Sequence, residues 1–244
     1  MAPTDWSTPS PPTVPTPARV LAVVAHPDDE SWLLGGALAA WADAGAEVRV
    51  LCMTAGEGGR DATGATAGPH ALAALRREEF AEACAVLGVA GSIVGLPDGG
   101  LEASEVDGHA AIASLLERHH PDLVVTHGLD GDYGHRDHLA VARWVGALAQ
   151  DALFAVLPPA RMHPLWRGLR RAGFEGVELG LTPSSFGGAG DCSVSVDPAR
   201  KRAAIACHAS QLRGAPSDFL LPGLLGEPWA AEERYRRAPS KVTS

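Results

Sequence analysis

Residues 19–30, RVLAVVAHPDDE, join a continuous apolar run to a turn that contains three consecutive acids. The apolar run is rich in Val and does not alternate with polar residues, which is typical of a strand buried on both faces. Such strands occur in parallel sheets that helices cover on both sides. We therefore expect a central strand over 19–25, with the polar turn at its carboxyl end.

Strand and helix patterns alternate along the rest of the chain. Strand patterns cover 47–53, 92–95 and 122–126. Helical patterns cover 31–45, 70–87, 105–119, 136–150 and 197–211. This alternation predicts βαβ units, and hence a single α/β domain whose mostly parallel sheet carries helices on both faces.

The two ends of the chain differ in composition from the predicted domain, which covers 19–213. Residues 1–18 are rich in Pro and Thr and lack a basic start followed by an apolar run, so we expect a disordered extension and no signal peptide. Residues 214–244 are expected to form a C-terminal extension, packed on the domain or partly mobile. Its basic residues predict a solvated tail: Arg234, Arg236, Arg237 and Lys241. The stretch 157–190 has no clean period and yields no structural prediction.

The overall composition restricts the classes of partner. Lys and Arg number 20 against 29 Asp and Glu, and the net charge of −9 argues against nucleic-acid binding. The chain has no run of about 18 apolar residues, so we expect no membrane span. The four cysteines include no Cys-x-x-Cys pair, which favours free thiols in a reducing cytoplasm. The sequence does not determine the oligomeric state, and it is compatible with a homo-oligomer.

Two polar clusters each follow a predicted buried strand, HPDDE over 26–30 and GHRDH over 134–138. Carboxyl ends of parallel strands lie at one edge of a sheet, where α/β proteins bind ligands. Carboxylates crowded there would raise one another's pKa values unless a cation neutralised them. Two imidazoles and one carboxylate form a common zinc site with one position left for water. Either cluster alone is equally well explained as a capped turn or a helix start, but their joint placement favours a metal site.

The sequences AHPDDE (25–30) and THGLDGDYGHRDH (126–138) resemble the two signatures of the PIG-L/LmbE-like family of N-acetylglucosaminyl deacetylases. Shorter matches add support: TAGEG (54–58), RREEF (76–80), LPDG (96–99) and HASQ (208–211). The resemblance covers 19–213. It implies a Rossmann-like single domain and zinc-dependent hydrolysis of an N-acyl bond, usually an acetamide on a sugar.

The resemblance also implies roles for residues of the two clusters. It implies one zinc ion bound by His26, Asp29 and His138, although the same ligand types also accept iron. Asp28 would be the general base that takes a proton from the attacking water, which zinc makes acidic enough to ionise near neutral pH. Asp137 is placed to orient one imidazole through its second nitrogen or, equally, to interact with the helix dipole.

Further roles follow from the same resemblance. His135 would contact the developing tetrahedral centre or help to protonate the leaving amine. Tyr133 matches a tyrosine that stabilises the oxyanion. Substrate contacts are implied for Arg76, Asp98 and Glu57. For Arg76, a salt bridge with Glu79 on the same helix face is an equal alternative.

Two features lie outside the matched signatures. Arg136 stands where the family usually has proline, and its charge would either bind an anionic substrate group or point to solvent. Lys201, His208 and Gln211 share one side of the last predicted helix. That spacing favours a packed face over a pocket lining.

The predicted function is a zinc-dependent hydrolase that removes an N-acyl group, most often N-acetyl, from a small amino sugar or its glycoside. An amidase for a larger N-acyl or thiol-conjugate substrate is the alternative among enzymes. A non-catalytic metal- or sugar-binding protein on the same scaffold is disfavoured because the base Asp28 is retained. A nucleotide-dependent enzyme is disfavoured because the acids of 28–30 would repel a pyrophosphate and the turn lacks the Gly-x-Gly-x-x-Gly fingerprint.

Overall fold

The fold is built around a seven-stranded sheet, seen in a computed structural model that describes residues 10–157, 190–212 and 231–238, without the side chain of Tyr133. Its strands are β1 (Arg19–Val24), β2 (Glu47–Thr54), β3 (Ala90–Leu96), β4 (Leu123–Thr126), β5 (Ala152–Val156), β6 (Cys192–Ser195) and β7 (Glu232–Arg237). Their order is β3-β2-β1-β4-β5-β7-β6. The strands from β3 to β5 run parallel, whereas β7 is antiparallel to both of its neighbours. The sheet is therefore mostly parallel, as predicted.

Helices lie on both faces of this sheet. They are α1 (Asp29–Leu33), α2 (Gly35–Asp43), α3 (Pro69–Leu87), α4 (Glu105–His119), α5 (Gly131–Gly134), α6 (Arg136–Leu148), α7 (Pro198–Cys207) and α8 (Ala209–Leu212), with a 3-10 turn over Leu101–Ser104. Successive residues of β1 point into two separate apolar clusters. Val20, Ala22 and Val24 pack with α2, α3 and α7, and Leu21 and Val23 pack with α4 and α6. The strand is buried on both faces, which confirms the α/β fold class.

The helix predicted over 31–45 is instead two helices, α1 and α2, which meet at Leu34. The carboxylate of Glu233 in β7 accepts hydrogen bonds from the backbone N–H groups of Gly36 (2.9 Å) and Ala37 (2.9 Å). These amides have no partner within the first turn of α2, so the carboxylate stabilises a new helix start there. Gly36 also allows the close approach, since a Cβ atom would lie 2.8 Å from Glu233 Oε1.

The helix predicted over 197–211 is likewise divided. Asp197 caps α7 by accepting the N–H of Ala199 (2.8 Å), as its sequence position indicates. The helix ends at His208, and α8 follows it. His208 turns its ring into the protein, where Nε2 contacts the carboxylate of Glu30.

A solvated tail is the wrong prediction for the stretch 232–237, which is an ordered strand, although Arg237 at its end is exposed. These residues form β7, which lies between β5 and β6. Arg234 is buried, and Tyr235 packs its ring against that of Trp41. The strand is charged, but its buried charges have partners, as when Lys201 Nζ contacts Glu233 Oε1 at 2.6 Å. The predicted domain of 19–213 therefore has to include β7, while Lys241 lies outside the described residues.

Part of the N-terminal extension is also ordered. Thr13 forms a parallel bridge with Ser193, and Val14 is buried in the core. The disorder predicted for 1–18 is therefore wrong for this part, because the backbone of residues 12–14 pairs with the free edge of β6. Residues 1–9 and most of 157–190 lie outside the described ranges.

Two further predictions concern the cysteines and membrane association. All four cysteines are unpaired, as predicted, and three of them are buried. Among the described helices, none has the length and apolar character needed to cross a bilayer.

Candidate functional site

The two polar clusters meet at the carboxyl edge of the sheet. β1 and β4 are adjacent parallel strands, and the HPDDE turn follows the first of them. The second cluster begins α6, whose first turn carries His138 to the same edge. The ring centroids of His26 and His138 are 5.3 Å apart, although the residues are 112 positions apart in the sequence.

Donor atoms of the three predicted metal ligands converge. His26 Nδ1 lies 3.3 Å from His138 Nε2. A carboxylate oxygen of Asp29 lies 3.3 Å from His26 Nδ1, and the other lies 3.4 Å from His138 Nε2. Ligand atoms at about 2.0–2.1 Å from a tetrahedral zinc are themselves about 3.3–3.4 Å apart. The spacing of these three side chains therefore fits a metal ion.

Two carboxylates set the tautomer of His26. Its Nε2 lies 3.1 Å from Asp98 Oδ1 and 3.2 Å from Asp137 Oδ2. Because a carboxylate only accepts, a neutral His26 ring carries its proton on Nε2, which would leave the lone pair of Nδ1 for a metal ion. Asp137 also accepts the N–H groups of Gly99 (2.8 Å) and Leu101 (3.2 Å), which fix its orientation. Asp137 therefore contacts His26, which is the imidazole that it would orient. The orienting role itself stays a prediction.

A residue that the sequence analysis did not single out, Asp132, sets the tautomer of His138. Its Oδ2 accepts from His138 Nδ1 (2.9 Å) and His127 Nδ1 (2.7 Å). With Nδ1 engaged there, Nε2 is the nitrogen of His138 that would offer its lone pair to a metal ion. In the sequence, the available signal for Asp132 is its position in the glycine-rich loop just before the second cluster. In the structure, its backbone there has a φ of 65°.

Neighbouring side chains enlarge the set of potential metal donors. Donor atoms of His26, His135 and His138 lie within 4.8 Å of one another, and so do those of Asp29, His127 and His138. His127, however, uses Nδ1 toward Asp132 and accepts the N–H of Ala25 at Nε2 (2.9 Å). With both nitrogens occupied, His127 supports the site by stacking on His138 at 4.0 Å.

The protonation energetics of the site favour a cation. Burial lowers the pKa of His138, but Asp29 and Asp132 outweigh it and raise that pKa to about 9. Burial also lowers the pKa of His26, and its carboxylate neighbours raise it well above the ordinary value. Burial raises the pKa of Asp29, yet the imidazoles of His138 and His127 hold it well below its usual range. The carboxylates that stabilise positive charge on these imidazoles would also stabilise a divalent ion bound there.

Asp28 lies beside this centre. Its carboxylate keeps 20% of its surface exposed and accepts from Arg76 Nη2 at 3.0 Å. Burial raises the pKa of Asp28, the Arg76 guanidinium lowers it and Asp29 raises it, which leaves it at about 6. A carboxyl group with this pKa can accept a proton near neutral pH.

Arg76 is more buried than a substrate contact would require. Only 3% of its surface is exposed, and it also donates to the carbonyl oxygens of Gly56 (3.1 Å) and Pro27. The alternative partner Glu79 instead accepts two hydrogen bonds from Ser210. The structure thus places Arg76 behind Asp28, and its predicted contact with substrate stays untested.

The remaining predicted site residues lie around the centre. His135 Nδ1 accepts the N–H of Asp137 (3.2 Å), so a neutral ring carries its proton on Nε2. Burial and the adjacent His138 and His26 lower the pKa of His135 to about 3, so the ring is neutral near pH 7 in the metal-free protein. Glu57 Oε1 accepts the N–H of Asp98 (2.9 Å), and the side chain of Tyr133 lies outside the described part of the structure.

A family model described as GlcNAc-PI de-N-acetylase (PIG-L) matches residues 21–149, which is just over half of the chain. The chain belongs to this family. A relative from Nakamurella multipartita is 32% identical to this PIG-L family member over 90% of the chain and 89% of the relative. That protein is named as a 1D-myo-inositol 2-acetamido-2-deoxy-alpha-D-glucopyranoside deacetylase.

Solved structures share the fold of this PIG-L family member. An N,N'-diacetylchitobiose deacetylase from Pyrococcus horikoshii has a TM-score of 0.65 at 23% identity and covers 92% of this chain and 85% of its own. The 4-carboxy-2-hydroxymuconate hydratase GalB from Pseudomonas putida has a TM-score of 0.64 at 21% identity, with 93% and 98% covered. Because a hydratase has the same fold, the fold alone does not determine the reaction, which depends on the residues of the site.

Proposed function

We propose that this protein is a metal-dependent deacetylase that hydrolyses the N-acetyl group of an amino sugar or of its glycoside. The observation that carries the proposal is the convergence of His26 Nδ1, Asp29 and His138 Nε2 at 3.3–3.4 Å, next to the carboxylate of Asp28, which Arg76 holds. Family membership supports the class of reaction. The relative named for an inositol-linked 2-acetamido sugar supports a glycoside of this kind as substrate.

One divalent ion would be held by His26, Asp29 and His138. Two imidazoles and a carboxylate suit zinc, and the same donors accept iron. An ion held there supplies Lewis acidity, which polarises an amide carbonyl and lowers the pKa of water. His135 lies near enough to the two ligand imidazoles to face the same substrate group.

The protein's own residues then move the protons. Asp28 accepts a proton from the attacking water and returns it to the leaving nitrogen, so that acetate and a free amine result. Arg76 keeps the carboxylate of Asp28 in place. The N–H at Nε2 of His135 donates to the carbonyl oxygen as negative charge develops on it. Tyr133 is proposed as a second donor to that oxygen. Glu57 and Asp98 are proposed to contact the polar part of the substrate, Asp98 with a carboxylate whose two oxygens also contact His26 Nε2 and the N–H of Gly58.

The proposal is tested by metal analysis and acetate release with the purified protein. The substrate series is N-acetylglucosaminyl-inositol, N-acetylglucosamine and N-octanoylglucosamine. We expect about one ion per chain, fastest turnover of the acetylated glycoside, and an Asp28→Asn variant that keeps its metal but loses about 10²–10⁴-fold in kcat. Preference for the octanoyl substrate would favour the larger-acyl amidase. Metal uptake without turnover of any substrate would favour a binding protein.

A further inference from the structure

Asp28 has a backbone conformation that side chains with a Cβ atom rarely adopt. Its angles are φ 127° and ψ −30°, at the residue that precedes α1. Such strain persists only where the surroundings hold it, and it is concentrated at functional sites. The backbone carbonyl of Asp28 accepts the N–H groups of Ser31 (3.0 Å) and Trp32 (2.9 Å). Its own N–H donates to Glu30 Oε2 at 2.9 Å.

The side chain of Glu30 is fully buried and reaches back to hold this N–H. Its second oxygen, Oε1, accepts from Ser31 Oγ (2.6 Å) and from His208 Nε2 (2.8 Å). Both oxygens therefore connect to groups that fix the start of α1. Since no part of Glu30 is exposed, it does not contact a substrate.

His208 supplies the distant end of this connection. It lies 178 residues from Glu30 in the sequence, at the junction of α7 and α8, and is also fully buried. Within the described residues, its Nδ1 has no hydrogen-bond partner, so its polar contacts are made through Nε2. The ring thus joins the C-terminal helices to the turn that carries Asp28.

We infer that Glu30 and His208 are positioning residues, which hold the backbone of Asp28 so that its carboxylate stays beside the metal centre. Arg76 holds the carboxylate, and the Glu30–His208 pair holds the main chain. The inference rests on the proposed function, because Asp28 is a base only if this site hydrolyses an amide. It gives a role to the last acid of HPDDE and to the histidine of HASQ, neither of which reaches the substrate.

The test compares His208→Leu, His208→Gln and the control Ser210→Ala. Ser210 lies two residues after His208 in the sequence. Its replacement by alanine removes a buried hydrogen bond of 2.6 Å to Glu79 and leaves the turn that carries Asp28 unchanged. We expect His208→Leu to lower kcat about 10- to 100-fold, with KM and metal content unchanged. His208→Gln, which keeps an N–H near the Nε2 position, should recover most of that loss. Ser210→Ala should retain kcat.

Hydrogen–deuterium exchange supplies a readout that does not depend on activity. The peptide over 26–34 should exchange faster in His208→Leu than in Ser210→Ala, because the N–H of Asp28 loses its fixed acceptor. If His208→Leu does not fold, Glu30→Gln replaces it. Both carboxylate oxygens of Glu30 accept hydrogen bonds, whereas a glutamine has a single acceptor oxygen. We therefore expect Glu30→Gln to raise the exchange rate of the 26–34 peptide and to lower kcat.

A double-mutant comparison decides whether the pair acts through Asp28. In an Asp28→Asn background, His208→Leu should have no further effect on the residual rate. An equal fall in both backgrounds, a wild-type kcat in His208→Leu, or a fall explained by metal loss would overturn the inference. Wild-type protein that hydrolyses no N-acyl substrate would instead defeat the proposed function. Equal exchange of 26–34 in His208→Leu and Ser210→Ala would then still overturn the positioning claim.

Discussion

Asp132 is a buried carboxylate shared by two imidazoles. It accepts from the Nδ1 atoms of His127 and His138, and its other oxygen accepts the N–H of Gly128 (2.8 Å). The carboxylates behind His26 are different ones. Each of the two imidazoles proposed as metal ligands therefore has its own carboxylate partners, which would orient its free nitrogen toward an ion.

We expect Asp132→Ala to weaken metal binding by about 10- to 100-fold, because His138 loses the group that orients it. The metal-free protein should also lose about 1–3 kcal/mol of unfolding free energy, since three buried N–H groups, those of His127, His138 and Gly128, lose their acceptor. Competition with a chromophoric chelator and denaturant unfolding measure the two effects. Asp132→Asn, which keeps one acceptor, should lie between this variant and the wild type. Unchanged metal affinity in Asp132→Ala would show that the carboxylate has no orienting role.

The role of Arg76 can be determined by measuring whether its replacement changes kcat or KM. Lysine keeps the charge but lacks the planar fork that reaches Asp28 and two backbone carbonyls together. If Arg76 supports the base, Arg76→Lys lowers kcat by about tenfold with little change in KM. Steady-state kinetics on the acetylated glycoside measure both constants. A raised KM with unchanged kcat would instead indicate that Arg76 binds the substrate.

At the level of secondary structure, β7 connects the C-terminal part of the chain to the helices beside the site. Glu233 accepts from Lys201, from Tyr235 Oη (2.7 Å) and from the first amides of α2. Its carboxylate is therefore both a helix cap and a buried ion-pair partner. Because α1 and α2 meet at Leu34, this contact also helps to set where α1 ends.

We expect Glu233→Ala to reduce the unfolding free energy by about 3–5 kcal/mol, because it leaves a buried ammonium group unpaired and uncaps α2. Lys201→Met should cost less, about 1–3 kcal/mol, since Glu233 keeps its amide and hydroxyl donors. Urea unfolding of the metal-free proteins gives both values. Equal losses in the two variants would contradict the capping role.

For the whole molecule, contiguous patterns of sequence predicted most of the fold. The apolar run of β1, the helical pattern over 70–87 and the acids after β1 are all local signals. The strand β7 was missed because its inward-facing residues are Glu233 and Tyr235, whose burial depends on partners far away in the sequence. The break at Leu34 was missed for the same reason.

The same distinction applies to the site. Its proposed metal ligands belong to two compact motifs, and the structure brings their donor atoms together. The residues that orient or hold them, such as Asp132 and His208, depend on pairings between separate segments. A single sequence carries no signal of which acid will face which imidazole, because that is decided only when the sheet and helices pack.

The proposed hydrolysis depends on the metal centre, and a crystal structure of the zinc-loaded protein tests that centre most directly. We predict one ion bound by His26 Nδ1, Asp29 and His138 Nε2, with Zn–N distances of about 2.0–2.1 Å and Asp28 close by but not coordinated. An ion coordinated by His127, or a protein that takes up no ion at this edge of the sheet, would contradict it.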